Sequence, residues 1–151
     1  MEKNIGFMKD SNARAGWAEA RFMICAAEHG FNVSRPWNDS LRYDFALERC
    51  GEFLRVQVKS TTSKRVSSGG YVCDLRANRR LYRARDLDFF AVYVIPEDAW
   101  YIIPVSVGIR AKALWLWPYC NGRHHKYDRY LEAWNLLTPA KLKAKSATSS
   151  G

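Results

Sequence analysis

The chain has 151 residues, of which 48% are hydrophobic and 14% aromatic, and its formal net charge at pH 7 is +9. This composition excludes an intrinsically disordered chain and is typical of one globular domain with its own core. The longest apolar runs, such as FFAVYVI at 89–95, are far shorter than the roughly 20 residues of a membrane span. Because the opening MEKNIGFMKD has no apolar signal core, we expect a cytoplasmic protein without membrane contact.

The first predicted element is a helix that runs from about residue 13 to Gly30. Ser11 or Asn12 can cap its start, and the glycine is a typical stop. One turn in, Glu19 stands among small and apolar neighbours. Its position alone favours a solvated carboxylate that complements the helix dipole.

Next, a short strand in FNVSRPW precedes two longer strands, over 41–48 and 52–60, that form a hairpin around ERCGE. If the connection comprises residues 49–52, Asp44 lies directly opposite Gln57. Side chains of a strand alternate between its faces, so Gln57 and Lys59 share one face. The other face carries the apolar residues Leu54, Val56 and Val58, and we expect it to point into the core.

The remaining elements follow from composition and periodicity. They are, in chain order, a polar loop at 63–70, a strand over 71–75, a helix in the arginine-rich segment 76–86, two core strands at 87–95 and 99–107, an edge strand or loop over 112–118, and an amphipathic helix over 126–137. The fold class is therefore α/β, a single domain with a mixed central sheet flanked by helices. We place this domain at residues 1–138, followed by a basic disordered tail at 139–151.

The hairpin gathers a carboxylate, an amide and an ammonium on a small area of sheet. Mg²⁺ (or Mn²⁺) explains this arrangement, since it prefers oxygen ligands and often takes only one or two protein carboxylates. Asp44 would supply charge, Gln57 an amide oxygen and Val58 its backbone carbonyl oxygen. Lys59 would stand beside the scissile phosphate and the attacking water. A cross-strand salt bridge of Asp44 with Lys59 or Arg55 is the simpler interpretation, and it stays open.

The basic surplus predicts a polyanionic partner. Residues 76–86, RANRRLYRARD, contain five arginines and one aspartate, and the planar guanidinium group is suited to phosphate oxygens. We therefore expect contacts with double-stranded DNA from basic and hydroxyl side chains of the hairpin, the loop after it and this segment. They are Arg55, Ser60, Thr61, Lys64, Arg65, Arg76, Arg79, Arg80 and Arg83.

Four positions resemble the signature of the PD-(D/E)xK nuclease superfamily: Glu19 in WAEARF, Asp44 in RYDFAL, and Gln57 with Lys59 in RVQVKST. Within it, the runs YDFAL…QVKST, DLDFFAVY, WYIIPV and YLEAWNLL are most similar to the small homing endonucleases encoded in bacterial group I introns, which also have glutamine at the acid position. The resemblance implies that these four residues are catalytic and that Glu19 is a further metal ligand. It also implies a homo-oligomer, a tetramer or a dimer, on the DNA.

The function predicted from these observations is a metal-dependent endonuclease of duplex DNA, of the homing type, that needs no small-molecule cofactor. A Holliday-junction-resolving or repair nuclease of the same fold is an alternative. From a different class, a non-catalytic nucleic-acid-binding module would use the cluster at 76–85 for phosphate contacts. A subunit whose basic face meets an acidic protein is a third.

Overall fold

The computed structural model describes residues 9–138, so the predicted tail at 139–151 and the first eight residues lie outside the described residues. The helices and strands are, in chain order, α1 Ser11–Glu28, β1 Asn32–Ser34, β2 Phe45–Arg49, β3 Glu52–Thr61, β4 Tyr71–Asp74, β5 Phe89–Val94, β6 Ala99–Pro104, α2 Val105–Gly108 and β7 Ala113–Leu116. None of the helices in this part of the chain is long and apolar enough to cross a bilayer.

A five-stranded sheet in the order β1-β2-β3-β5-β6 forms the centre of the fold. Only β3 and β5 pair in parallel, while the other neighbours are antiparallel. The strands β4 and β7 form a separate antiparallel pair. This architecture confirms the predicted α/β domain with a mixed sheet, and it adds a small second sheet that the sequence did not indicate.

Helix α1 packs against one face of the central sheet through Ala18, Phe22 and Ala26, which are buried. Its cap is Asp10 rather than either predicted residue. The Oδ1 atom of Asp10 accepts the backbone N–H groups of Asn12 at 2.8 Å and Ala13 at 3.3 Å. An aspartate at this position satisfies amides that have no partner within the first turn, so the helix begins earlier than predicted.

The β2–β3 hairpin has the predicted register, with Phe45 opposite Val56 and Arg49 opposite Glu52. Its connection is two residues, Cys50 and Gly51, with φ values of 53° and 77°. Such positive φ values at both central positions are typical of the tight turns that match strand twist. β2 begins at Phe45, so the chain before it forms bends instead of the predicted longer strand.

The predicted helix over 76–86 is wrong. This segment forms turns, in which Ala77 and Arg80 exchange two backbone hydrogen bonds of 2.9 and 2.8 Å around Asn78 and Arg79. Those two residues have φ values of 47° and 65°. Tyr82 is the one buried residue of the segment, and a short helix without an apolar face gains little from packing.

The predicted helix over 126–137 is also wrong. Two short 3-10 turns, Asp128–Tyr130 and Trp134–Leu136, flank Glu132, which has a φ of 50°. Glu132 and Trp100 exchange hydrogen bonds, since Glu132 N–H donates to the Trp100 carbonyl and Trp100 N–H donates to Glu132 Oε1, each at 2.7 Å. Pairing with the sheet therefore prevails over the helical spacing of the apolar residues.

The two apolar strands, both predicted as core strands, take different positions in the sheet. β5 is interior, but β6 is the last strand of the sheet. Its residues from Ala99 to Ile103 are nevertheless buried, because the segment around Glu132 covers its outer edge. The predicted strand also ends sooner, since α2 takes up the chain from Val105.

Candidate active site

The hairpin register brings Asp44 and Gln57 into direct contact. Nε2 of Gln57 donates a hydrogen bond of 2.7 Å to Oδ2 of Asp44, and the Val58 N–H donates to the same oxygen at 2.7 Å. β3 continues past its last pair with β2, Val56 with Phe45, so the Val58 amide on that side is available to the aspartate. The Asp44 carboxylate thus accepts the hydrogen bond that a backbone carbonyl of β2 would accept if that strand were longer.

The environment of Asp44 disfavours the ionised form of its carboxyl group. Burial raises the pKa of Asp44 to about 6, the Val58 hydrogen bond opposes this shift, and the nearby charge of Glu19 adds to it. A pKa shift of this size means that ionisation costs free energy in the folded protein. A cation bound between the two carboxylates would offset that cost.

Lys59 lies on the same face of β3 as Gln57, and its side chain is half-buried. Its Nζ atom donates to the Arg76 carbonyl oxygen at 3.2 Å and lies 5.4 Å from the centroid of the Tyr82 ring. Burial lowers the pKa of Lys59, whereas the neighbouring Cys73 and Asp44 oppose the shift. The sheet and the turns after β4 thus fix the ammonium group beside the Asp44 site.

Glu19 reaches this site from α1, but its carboxylate forms an ion pair with Arg35. Glu19 borders a cavity of about 240 Å³ that is also lined by Gln57, Val58 and Lys59. Gln57 also borders a larger cavity of about 710 Å³, as does Arg35. The two partners of the ion pair therefore border different cavities, and Gln57 borders both.

The larger cavity contains residues that the sequence did not single out. The guanidinium carbon of Arg42 lies 4.4 Å from the Tyr82 ring centroid, and its Nη1 donates to Asp86 Oδ2 at 3.0 Å. Arg42, Tyr82 and Arg35 all line this cavity together with Asp44. The one sequence signal for this arrangement was an aromatic residue within an arginine-rich segment.

The oxygen atoms at this site suit a divalent metal ion, although within residues 9–138 no group of three or more His, Cys, Asp or Glu side chains could hold one. Gln57 Nε2 lies 2.7 Å from Asp44 Oδ2 and 3.4 Å from the Val58 carbonyl oxygen. These two oxygens therefore already converge on one hydrogen-bond donor, the neutral amide of Gln57. With the Gln57 amide oxygen and Glu19, they could form a donor set of the hard type that Mg²⁺ prefers.

Some of the predicted DNA-contacting side chains are engaged within the protein. Arg55 forms hydrogen bonds with both carboxylate oxygens of Asp88, each at 3.1 Å, and donates to the Arg85 carbonyl. Arg76 pairs with Asp74 at 2.6 Å. Thr61 is buried, and its hydroxyl donates to the Val72 carbonyl.

The other predicted contacts lie near solvent. Ser60 lines the smaller cavity beside Lys59, and Arg80 lines the larger one. Lys64 and Arg65 lie over the Tyr71 and Trp115 rings, at 5.4 and 5.8 Å from the ring centroids, in an exposed loop. Arg79 and Arg83 are exposed on the turns after β4.

Comparison with known proteins gives this site a context. A model of the family described as PD-(D/E)XK endonuclease matches residues 9–137. The chain belongs to the PD-(D/E)XK endonuclease family. It is also similar to a solved structure described as that of a bacterial homing endonuclease, I-Ssp6803I, with 28% sequence identity and a TM-score of 0.75 over 94% of this chain and 99% of that one. A search of curated protein sequences finds no match.

These matches confirm the predicted superfamily and the predicted DNA endonuclease. Members of the PD-(D/E)XK family generally use divalent metal ions, which agrees with the oxygen atoms around Asp44. The roles of the individual residues rest on the geometry described above.

Proposed function

We propose that this endonuclease hydrolyses phosphodiester bonds of duplex DNA with Mg²⁺ held at Asp44, and that it acts as a homing endonuclease. The observation that supports the chemistry is the convergence of Asp44 Oδ2 and the Val58 carbonyl oxygen on the Gln57 amide, with Lys59 beside them. The likeness to I-Ssp6803I over nearly the whole chain supports the homing role.

Asp44, Gln57 and Val58 would hold the ion, and Glu19 would complete its protein ligands. Mg²⁺, or Mn²⁺ in its place, supplies Lewis-acid activation of water and of the phosphate oxygens when it is bound. A half-turn of the Gln57 amide exchanges its nitrogen and oxygen atoms, which brings the oxygen to the side of Asp44. Gln57 can thus serve as a hydrogen-bond donor without the ion and as an oxygen ligand with it.

Lys59 would stabilise the transition state of hydrolysis. Its ammonium group donates hydrogen bonds and is fixed in a half-buried position, so it can contact a phosphate oxygen without first being ordered. A fixed positive charge in a partly desolvated site stabilises the negative charge that grows on the phosphate more than a mobile surface lysine does.

The DNA backbone would lie across the larger cavity, where Arg35, Arg42 and Arg80 supply positive charge near Asp44. The exposed loop with Lys64 and Arg65, which lie over the Tyr71 and Trp115 rings, would supply further positive charge to the DNA. Cations of this kind neutralise phosphates and make binding dependent on salt. Following the resemblance, we also propose a homo-oligomer, either a dimer or a tetramer, built from the domain at residues 1–138.

The test is a cleavage assay in which linear duplexes compete with four-way junctions. We expect cuts in linear duplex DNA with Mg²⁺ or Mn²⁺, none with a chelator, and binding without cleavage with Ca²⁺. Size-exclusion chromatography with light scattering measures the oligomer. Strong preference for junctions would contradict the homing role, and cleavage unaffected by the chelator would contradict the metal-dependent chemistry.

A further inference from the structure

The ion pair between Arg35 and Glu19 occupies a carboxylate that the proposed metal site needs. Arg35 follows directly after β1, and Glu19 lies on α1. The side chain of Glu19 is only 19% exposed, whereas that of Arg35 is 59% exposed. The carboxylate is therefore confined at the site, while the guanidinium group is free to move toward solvent.

The surroundings of Arg35 offer it a second partner. Its side chain lines the larger cavity together with Asp44 and Gln57, and its guanidinium carbon lies 5.5 Å from the centroid of the Phe45 ring. A phosphate that approached Asp44 through this cavity would come within reach of Arg35. Arginine binds phosphate oxygens through paired hydrogen bonds, as it binds carboxylates, so the two anions would compete for one guanidinium group.

Once released from Arg35, Glu19 would have a second partner available, the divalent ion at Asp44. It borders the smaller cavity with Gln57, Val58 and Lys59, and its charge already acts on Asp44. Without Arg35, the charge of Glu19 would be less compensated and would repel Asp44 more strongly. A divalent ion at Asp44 would take over the neutralising role that Arg35 has in the free protein.

We propose that Arg35 is a positioning residue that exchanges partners on substrate binding: it holds Glu19 in the free enzyme and moves to a DNA phosphate in the complex, which releases Glu19 to the metal. This inference rests on the proposed metal site. It couples the binding of metal and DNA, because each ligand favours the same arrangement of Arg35. The free enzyme would bind the ion weakly, and the DNA would complete the site.

Two measurements with opposite expected signs test this exchange. The first is Mn²⁺ affinity of the protein without DNA, by calorimetry or electron paramagnetic resonance. Because Arg35→Ala releases Glu19, it should bind Mn²⁺ about two- to fivefold more tightly than the unmodified protein, the range that a partly exposed ion pair allows. The gain should vanish in the double variant Arg35→Ala with Glu19→Gln, in which the released side chain is neutral.

The second measurement is the affinity for a duplex of arbitrary sequence in Ca²⁺ at several salt concentrations. Arg35→Ala should weaken this binding and lower the salt slope by about one phosphate contact, and Arg35→Lys should recover part of the affinity. Arg49→Ala is the matched control, since it removes the same charge from a residue that lies over the Phe31 ring, 5.1 Å from its centroid, away from both cavities. It should leave Mn²⁺ affinity unchanged.

The outcomes separate this inference from the proposed function. If Asp44→Asn abolishes Mn²⁺ binding but Arg35→Ala binds Mn²⁺ no more tightly than the unmodified protein, the partner exchange is wrong and the metal site stands. If Mn²⁺ affinity does not depend on Asp44, the proposed metal site itself is wrong. Equal gains in Arg35→Ala and Arg49→Ala would show a general effect of charge and would also overturn the exchange.

Discussion

Gln57 donates a hydrogen bond of 2.7 Å to Asp44 at the position where the family signature has a second acid. A carboxylate there would face Asp44 with like charge whenever no metal is bound. The amide instead satisfies Asp44 Oδ2 together with the Val58 N–H. Glutamine therefore stabilises the metal-free site, but it also lowers the negative charge that would attract the ion. Substitution of Gln57 should separate these two effects.

Gln57→Glu should destabilise the metal-free protein and increase its stabilisation by metal. The change replaces a hydrogen-bond donor by a second charge beside a buried carboxylate, which we expect to lower the free energy of unfolding by about 1–3 kcal/mol at neutral pH. Urea unfolding in a chelator and in Mn²⁺ measures both effects. Gln57→Met, which lacks donor and charge, separates the lost hydrogen bond from repulsion. Equal metal stabilisation of Gln57→Glu and the unmodified protein would contradict the assigned ligand.

The pKa of Asp44 predicts a pH dependence of stability. It is raised to about 6 from the ordinary value of 3.8, so protonation favours the folded state. The favourable contribution is complete below the ordinary value and is lost as pH rises through about 6. The whole shift corresponds to a loss of about 3 kcal/mol in the free energy of unfolding of the metal-free protein.

Asp44→Asn isolates that contribution, because the amide carries no charge at any pH and its oxygen can still accept the Val58 N–H. In a chelator, the stability of the variant relative to the unmodified protein should rise as pH increases from about 4 to 6. The difference should level off above that range, and Mn²⁺ should stabilise only the unmodified protein. A stability difference that does not change with pH would contradict the raised pKa.

Arg55 should contribute mainly to the stability of the fold, and Arg80 mainly to DNA binding. Arg55 binds both oxygens of Asp88 and the Arg85 carbonyl, so Arg55→Ala should lower the free energy of unfolding by about 1–2 kcal/mol. Arg80 is exposed at the larger cavity. Arg80→Ala should keep stability within about 0.5 kcal/mol and weaken duplex binding with a smaller salt slope. Denaturation and salt-dependent binding of both variants make the comparison, and loss of stability in Arg80→Ala would contradict it.

The core of the candidate site could be predicted from sequence because local rules fix it. Alternation along β3 places Gln57 and Lys59 on one face, and the short connection at Cys50 and Gly51 sets the partner of each residue. A slip of one residue would turn Asp44 to the other face. The contact between Asp44 and Gln57 thus follows from the pattern of the hairpin alone.

The surroundings of the site could not be predicted because they depend on tertiary contacts. Tyr82 lies in the turns at 76–86, where the sequence predicted a helix, and its ring contacts Arg42 and Lys59. The pairing of Glu132 with Trp100 likewise replaces a predicted helix. In both segments the composition allows a helix, and contacts with residues distant in sequence decide against it. The ion pair of Glu19 with Arg35 could not be predicted either, because the two residues are 16 positions apart and lie on either side of the turn and strand that follow α1.

Lys59→Ala should abolish most cleavage and leave DNA binding intact. Loss of one fixed donor at the reacting phosphate reduces turnover by about 10²- to 10³-fold in comparable sites. The variant loses the hydrogen bond of Lys59 to the Arg76 carbonyl, so its free energy of unfolding is measured beside its activity to confirm that the protein is folded. Lys64→Ala is the matched control, as it removes the same charge from the exposed loop over the Tyr71 ring.

Single-turnover cleavage with Mg²⁺ and duplex affinity with Ca²⁺ measure the two properties separately. In Lys59→Ala the cleavage rate should fall, while the affinity for DNA stays within about threefold. In Lys64→Ala the affinity should fall and the cleavage rate should stay the same, because a surface lysine contributes mainly through phosphate neutralisation. Lys59→Arg should recover little, because the larger guanidinium group does not fit a half-buried ammonium position that faces the Arg76 carbonyl. If Lys59→Ala cuts at the unmodified rate, the ammonium group takes no part in hydrolysis.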